Sequence, residues 1–596
     1  MSSNTTQVNN DFFKSNVLGH PAGLYVLFFT EMWERFSFYG MRILLVLFLT
    51  AALGSDNPGF GMPVEQATAI YGTYAMLLYL TPIFGGIIAD KLTGYRWAVV
   101  IGSIIMTLGH AAMAIETPFW VYMGLGLLVA GTGFFKPNMT SILSEMYKDV
   151  PEKKDGAYTI FYMGVNAGAF FGMMLCGYLG EKIGWSYGFG LAGIFMLLGT
   201  LQFWLAKPLF GKIGEVPSKV YEVEPEHGIN EKSADFESDN RDTDTRNPFT
   251  MLDKILIAIS AVIGLGYALN DPISKIAGFD MFAFANTEAL EGQYVMVLVA
   301  LAAFLYMVFT RIFRYDRIVR DRMIAVVIFA FFTVFFWMSF EQGASSLVLF
   351  ARDSVDRTLV GSSLDLFRTV NTLLTVIPLL LISYVLVLLG KATWKKIPAS
   401  NIVLIITFIG VWAVAIWMLK RDFDQETGEI SVSWFSILNS FFIIAFANLV
   451  SKWWESKYNP SAAVKYGLGL IIMALGFGLL AYGSHGIEAG VKVSMIWLIL
   501  AYLFHTLGEL CLSPVGLSYV SKLVPPRMIA FMFGMWYLAI AIGNKLAAVA
   551  GGQIEHITEQ YDLSTFFLIF TIVPIAAGLL VIALNPLLKK LMHGVK

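Results

Sequence analysis

Charge is what this sequence is short of. Asp, Glu, Lys and Arg make up 14% of its 596 residues, where a soluble domain carries roughly 25%. At 57% hydrophobic and a mean hydropathy of +0.67, the chain cannot solvate a globular surface of its own, and it reads as an all-α polytopic membrane protein. The net charge of −2 leaves no basic footprint for a nucleic-acid partner. Cysteine is almost missing: Cys176 and Cys511 both lie in apolar stretches and read as small core residues rather than a disulfide framework. The seven His are scattered, with no His-Glu-x-x-His, so no metal or cofactor is expected and an intramembrane enzyme lacks its usual ligands or nucleophile–base set. The first twenty residues hold one Lys or Arg, Lys14, and do not resemble a cleavable signal. The chain is expected to enter the membrane through its first span.

What is present is a series of apolar runs, each near the ~20 residues that cross a bilayer as a helix. Six fall at 22–52, 66–90, 97–115, 118–146, 157–180 and 184–206. A polar stretch, 208–250, follows with ten acidic against five basic residues and no apolar periodicity; it reads as a flexible linker. Ten more runs fall at 253–270, 293–313, 321–342, 364–390, 399–419, 434–453, 461–483, 493–519, 526–550 and 564–588. The sequence therefore predicts sixteen spans. Fourteen is the alternative, if the pair 364–390 and 399–419 is dropped because Arg368 and Pro378 interrupt it.

The distribution of Lys and Arg fixes the expected orientation. With the N-terminus in the cytoplasm, the inside connections collect Lys91 and Arg96, Lys148, Lys153 and Lys154, a cluster from Arg311 to Arg322, Lys391 to Lys396, and Lys522 with Arg527. The outside connections are poorer: 53–65, 116–118 and 551–563 hold none, while 343–363 breaks the trend with Arg352 and Arg357. An even number of spans with both termini inside is expected.

Against this background the segment FFTEMWERFSFYGMR (28–42) stands out. An ionisable group at the bilayer centre costs at least ~2.5–3.5 kcal/mol, so such groups face an interior or a wet cavity. At about 100° per residue, Glu31, Glu34, Arg35 and Arg42 share one helix face. A structural i,i+4 pair would account for Glu31 with Arg35, but four charges on one span exceed that task. Lys136 lies deep in the fourth span, Glu341 ends the run FFTVFFWMSFEQGASS, and Glu509 lies in the middle of 493–519. His505, at i,i+4 from Glu509, reads as a structural His. Lys545, near a span end, is expected to snorkel to the interface. Together these charges imply a polar cavity between two halves, which by itself permits a transporter, a channel or an intramembrane enzyme.

GGIIADKLTGYR (85–96) resembles the loop between the second and third helices of the major facilitator superfamily. EMWERF (31–36) with FYGMR (38–42) resembles the E-x-x-E-R signature of the proton-dependent oligopeptide transporter family. FYMGVNAGAFFG (161–172) resembles that family's F-Y-x-x-I-N-x-G-S-L signature, with Val165 in place of Ile and Ala169-Phe170 in place of Ser-Leu. GTGFFKPN (131–138), FFWMSFEQGASS (335–346), WFSILNS (434–440), GELCLSPVGLSYVSKLVP (508–525) and GMWYLAIAIGN (534–544) follow in the expected order, with Ser440 where a Pro is frequent.

The resemblance implies a major facilitator fold with extra helices. Its expected parts are an N-terminal six-helix bundle (1–207), a cytoplasmic linker (208–250) and an extra helix pair (251–318). The first helix of the C-terminal bundle (319–350), a second extra pair (364–420) and the remaining helices (433–590) follow. It implies a proton-coupled symporter of di- and tripeptides in a bacterial-type plasma membrane. Arg42 and Lys136 would hold the peptide carboxylate. Glu341 and Asn439, with Asn166, would hold the amino end or backbone, and Tyr39, Tyr79 and Trp536 would wall the pocket. Glu31, Glu34 and Arg35 would trade partners with Lys136 to move protons, since an acid's proton affinity follows its desolvation and its cationic neighbours. Arg42–Glu341 would form an outer gate and Lys136–Glu509 an inner gate.

Overall fold

The computed structural model describes residues 15–216, 247–457, 459–486, 491–525 and 528–595. Lys14, the linker residues 217–246, Arg527 and Lys596 lie outside them. Among the described residues sixteen helices have twenty residues or more. The first six are α1 (Ala22–Thr50), α2 (Val64–Ile88), α3 (Gly94–Met113), α4 (Pro118–Met146), α5 (Lys154–Lys182) and α6 (Trp185–Leu205). After the linker come α7 (Met251–Ala277), α8 (Gly292–Ile312), α9 (Arg317–Phe340), α10 (Ser362–Thr393) and α11 (Pro398–Phe423). The last five are α12 (Val432–Glu455), α13 (Ala462–Gly483), α14 (Met495–Leu523), α15 (Ile529–Gly551) and α16 (Leu563–Ala583).

Among the described residues fourteen segments are long and apolar enough to cross a bilayer. α2 and α3 form one of these, joined by a π turn at Ala89–Thr93, and α1 is set apart by its four charges. The pair that the sequence left in question consists of two helices of 32 and 26 residues. Pro378 is accommodated inside α10. Arg368 interrupts nothing: near the start of α10 its guanidinium donates to the Asp422 carbonyl at 3.0 and 2.7 Å, at the end of α11.

In the first half α1 packs on α5 and α6, α3 on α4 and α6, and α2 on α4. In the second half α13 packs on α14 and α16, α9 on α15, and α12 on α14. The halves meet along α2–α15 and α5–α12. The α7–α8 pair lies against α2, and the α10–α11 pair lies chiefly against α6 and α5 of the first half.

Small residues set the closest approaches, as expected where lipid tails remove the hydrophobic drive between helices. On α5, a Cβ at Gly164, Gly168 or Gly172 would lie 2.9, 2.2 and 2.2 Å from the backbone oxygens of Phe28, Met32 and Phe36 on α1. This i,i+4 glycine row is what the 161–172 signature supplies: it sinks the charged helix α1 onto α5. Gly168→Val is expected to push α1 off α5 and to lower stability by about 1–3 kcal/mol, the usual cost of overpacking. A thermal-shift measurement in detergent checks it; an unchanged Tm would mean that the helices have room to part. Gly85, in the 85–96 motif, meets α4 just as closely, with its Cβ position 1.9 Å from the Gly133 oxygen. Asp90 of the same motif is in no ion pair among the described residues.

The linker begins with folded residues. Arg96 donates to the Gly211 carbonyl at 2.8 Å and to Glu215 at 3.1 Å, and Glu145 accepts from the Gly214 N–H at 2.9 Å. α7 starts in a capping box of Thr250 and Asp253, with both Asp253 oxygens also held by Arg314, at 2.7 and 2.9 Å. α7 runs to Ala277, past the expected end at 270, and this places Asp271 inside the helix. Lys545 does not snorkel: it is 3% exposed and paired with Asp271 at 2.5 Å.

Candidate functional site

Pro137 breaks the hydrogen-bond ladder of α4 beside Lys136. It has no N–H for the Gly133 carbonyl, and the Asn138 side chain donates to the Phe134 carbonyl at 2.7 Å. Lys136 lies with its ammonium 4.7 Å from the centre of the Tyr79 ring, on a cleft lined from both halves. α1 lines the cleft with Arg35, Phe38, Tyr39 and Arg42, α2 with Tyr71, Tyr74, Leu78 and Tyr79, and α4 with Thr132 and Lys136. Glu341 and Asn544 reach it from the second half.

The stripe on α1 forms two separate constellations. Deep in the helix, Arg35 Nε lies 2.8 Å from an oxygen of both Glu31 and Glu34. Only the Glu31 contact has hydrogen-bond geometry. Both Glu34 oxygens are buried without a donor, and the residue is 0% exposed. Lys136 completes the group electrostatically without touching an acid. Two turns further along, Arg42 pairs with Glu341 and donates to the Tyr71 hydroxyl at 2.8 Å. That hydroxyl in turn donates to Glu341 at 2.9 Å. The triangle is sealed by aromatic faces, with Arg42 5.9, 5.7 and 5.8 Å from the ring centres of Phe38, Tyr39 and Tyr71. Glu341 is positioned by the end of α9, where a 3-10 turn, Glu341–Ala344, follows the helix.

The other residues singled out in the sequence are distributed less simply. Glu509 accepts from Asn439 at 3.5 Å, and Asn439 is held by the Thr506 hydroxyl at 2.6 Å. Lys136 and Glu509 form no ion pair. Asn166 spends its side-chain amide on the Tyr162 carbonyl of its own helix, at 3.0 Å. Trp536 is not on the cleft; it is 3% exposed in the core of the second half, edge-on to Tyr466. Its neighbour Tyr537, about 100° around α15, is the residue that faces Tyr79, at 6.3 Å. His505 stacks on Phe477 at 4.4 Å, as a structural His.

Tyr71, Tyr74, Thr132 and Asn544 line the cleft and were not anticipated. For α2 a signal was available: Tyr71, Tyr74, Ala75, Leu78 and Tyr79 follow the i, i+3, i+4, i+7, i+8 spacing of one helix face. No charge drew attention to it.

Between the halves, every hydrogen bond that joins described residues lies at the end holding residues 51–63. Besides the Arg42 triangle, Arg352 donates to Thr50 at 2.7 Å, and Glu181 on α5 accepts from the first N–H groups of α12, Val432 and Ser433, at 2.7 and 2.8 Å. Glu429 is paired with Arg357 at 2.7 Å and Lys182 at 3.2 Å. Burial opposes its ionisation, but Arg357 and then Lys182 hold its carboxyl below the usual range. This end is closed. No hydrogen bond among described residues joins α4 to α14 towards the other end.

Comparison with known proteins agrees with this architecture. The model of the POT family, PTR2, matches residues 96–395 and 405–568. The peptide transporter YePEPT of Yersinia enterocolitica is 31% identical over 591 residues, covering 97% of this chain and 96% of that protein. A di-/tripeptide transporter of Lactococcus lactis subsp. cremoris is 27% identical over 585 residues, covering 97% and 98%. A crystal structure of a peptide transporter POT in complex with sulfate superposes with a TM-score of 0.69 at 27% identity, over 100% of both chains. A mutant of a peptide transporter POT, in complex with alafosfalin, gives the same TM-score and identity over 100% of both chains. The two helical halves, the charged cleft between them and matches that run the length of the chain lead to one assignment: this chain belongs to the POT family, a family of peptide transporters and not of enzymes.

Proposed function

We propose that this protein is a proton-coupled symporter that imports di- and tripeptides across a bacterial-type plasma membrane. In this reading both termini are cytoplasmic, the 51–63 end faces outwards, and the structure is the inward-facing state. Residues 1–207 and the segments 319–350 and 433–590 act as the two rocking bundles around a fixed site, the general transporter solution. The observation that carries the proposal is the pair of constellations on α1: one seals the cleft across the bundles, and the other holds two acids against one Arg beside a free-standing Lys.

A short peptide is a zwitterion. Arg42 and Lys136 clamp its carboxylate, for which a guanidinium is suited by its planar fork and permanent charge. Glu341 takes the amino end when Arg42 is drawn to the carboxylate, with Glu509 and Asn439 lining the same side. Tyr39, Tyr71 and Tyr79 offer walls that tolerate many side chains. Glu34 is the proposed proton carrier, because desolvation favours a carboxyl's neutral form and an approaching cation its ionised form. Lys136 is the partner that approaches and withdraws. Arg42–Glu341 is the outer gate, already closed here, and Lys136–Glu509 closes the inner gate in the opposite state.

Uptake of labelled di- and tripeptides into proteoliposomes tests the proposal. Accumulation is expected only with an inward proton gradient. Equal uptake with and without it would indicate a passive pore, and uptake of other small anions in place of peptides would reassign the cargo.

A further inference from the structure

Apolar packing joins the α7–α8 pair to both bundles, with Met307, Val308 and Ile312 against α9 and Ala268 against Met76 and Ala541, but its polar contacts at the closed end form a layer that crosses the bundle boundary. Beyond Asp253 at its start, the buried residues of α7 are Tyr267, Ala268, Asn270 and Asp271. Asp271, with its side chain 2% exposed, pairs with Lys545 of α15 at 2.5 Å and with Lys275 at 3.1 Å. Lys545 also donates to two groups on α2, the Thr73 hydroxyl at 2.9 Å and the Ala69 carbonyl at 3.4 Å. The Thr73 hydroxyl in turn donates to the Ala268 carbonyl of α7 at 2.6 Å. The cluster adjoins the cleft through Asn544, the residue before Lys545. It lies at the closed end, where a Cβ at Gly72 of α2 would be 2.3 Å from the Ala548 Cβ of α15.

The ties of α7 are unequal. Three join it to α2: Thr73 to the Ala268 carbonyl, Gln66 to the Lys275 carbonyl at 2.8 Å, and Lys275 to Glu65 at 3.1 Å. One ion pair, Asp271–Lys545, joins it to α15, where the Lys545 ammonium also lies 5.9 Å from the centre of the Tyr267 ring and Ala268 packs near Ala541. When the outer end opens and α2 parts from α15, α7 therefore stays with α2. Lys545 loses Asp271, Thr73 and Ala69 together, while Asp271 keeps Lys275. A docking role alone needs only apolar contact, and a buried ion pair is a costly way to provide it.

We propose that Asp271 is a latch residue: carried on the first bundle by α7, it supplies the counter-charge that holds Lys545 of the second bundle while the outer end is closed. This is a positioning role that adds a second charged lock to Arg42–Glu341 and gives the α7–α8 pair a part in the transport cycle. It rests on the alternating-access reading above, but its test does not depend on the cargo.

Spin labels at Asp56→Cys and Thr558→Cys, exposed on the outer connections of the two bundles, report their separation by pulsed dipolar spectroscopy without peptide or gradient. Asp271→Asn is expected to raise the open-to-closed ratio by about tenfold or more, the scale set by leaving Lys545 buried without its counter-charge, and Lys545→Met to raise it by less, because Asp271 keeps Lys275. The double variant is expected to shift no further than either single one, as for two halves of one lock. Asp271→Glu, which keeps the charge, is expected to stay closed. Thr73→Val provides a check that leaves both charges in place, with a smaller shift in the same direction. Distances unchanged from the parent in Asp271→Asn and Thr73→Val, with the parent taking up peptide normally, would overturn the latch alone. A parent that takes up no peptide while the variants still shift would overturn the cargo reading and leave the latch standing.

Discussion

Lys136→Ala is expected to abolish gradient-driven peptide accumulation in proteoliposomes while the protein is made at normal levels. Two cations act on Glu34, Arg35 and Lys136, and they are not equivalent. Arg35 is shared with Glu31 at 2.8 Å on the same helix and keeps its charge in any state. Lys136 is on a different helix, held only by the Tyr79 ring at 4.7 Å, with a flexible stem that can follow α4. Without it, Glu34 in the proposed mechanism is left with no partner to exchange, and taking up a proton would no longer alternate with losing it. Glu31→Gln is expected to give the same loss by the opposite route, because Arg35 is then left to Glu34 alone. An internal pH dye reads both variants: peptide should no longer carry protons into the liposome. Full uphill accumulation by either variant would remove the stripe on α1 from the coupling mechanism.

Arg42→Ala is expected to cost peptide affinity in a way that depends on the peptide's C-terminus. A hydrogen bond to a charged group contributes about 1.5–3 kcal/mol, which is roughly 10- to 100-fold in binding. The parent should therefore bind a dipeptide more tightly than the same dipeptide with an amidated C-terminus, and in the variant the two affinities should converge. The substitution also leaves Glu341, with its side chain 2% exposed, facing only the Tyr71 hydroxyl. Removing one partner of a buried pair costs about 3–5 kcal/mol, and the 17% exposure of the Arg42 side chain points to the lower end. The outer end should open more readily. A preserved ratio between acid and amide would take Arg42 out of the carboxylate clamp.

Much of the site was legible because charge inside a bilayer is so costly that each instance marks something. Glu31, Glu34, Arg35, Arg42, Lys136 and Glu341 stand out on that ground; Arg35, Arg42, Lys136 and Glu341 line the cleft, and Glu31 and Glu34 are buried against Arg35. Neutral residues gave no such mark. Tyr71 sits at the centre of the outer triangle, yet in sequence it is one Tyr among 25. Trp536 and Tyr537 differ by a single residue, and which of them faces Tyr79 depends on the rotation of α15 about its axis, a matter of packing against α9 and α2. Lys545 illustrates the limit from the other side. Its position near the end of a span favours snorkelling, and its actual partner, Asp271, is 274 residues away, one residue beyond the point where the apolar pattern ends a helix that runs on to Ala277.

The sequence alone determined that this is a bundle of membrane-length helices, and that the charged stripe on the first of them belongs to an interior. Both follow from solvation, since hydrocarbon accepts apolar side chains and rejects charges whatever their neighbours are. Which charges meet was decided by the tertiary structure: Arg42 with Glu341, Lys545 with Asp271, Lys136 with no acid in direct contact. Those pairings depend on how α2 and α15 close over one end, and on glycines that let α1 and α5 approach within backbone contact. These are long-range geometric facts to which hydropathy is blind.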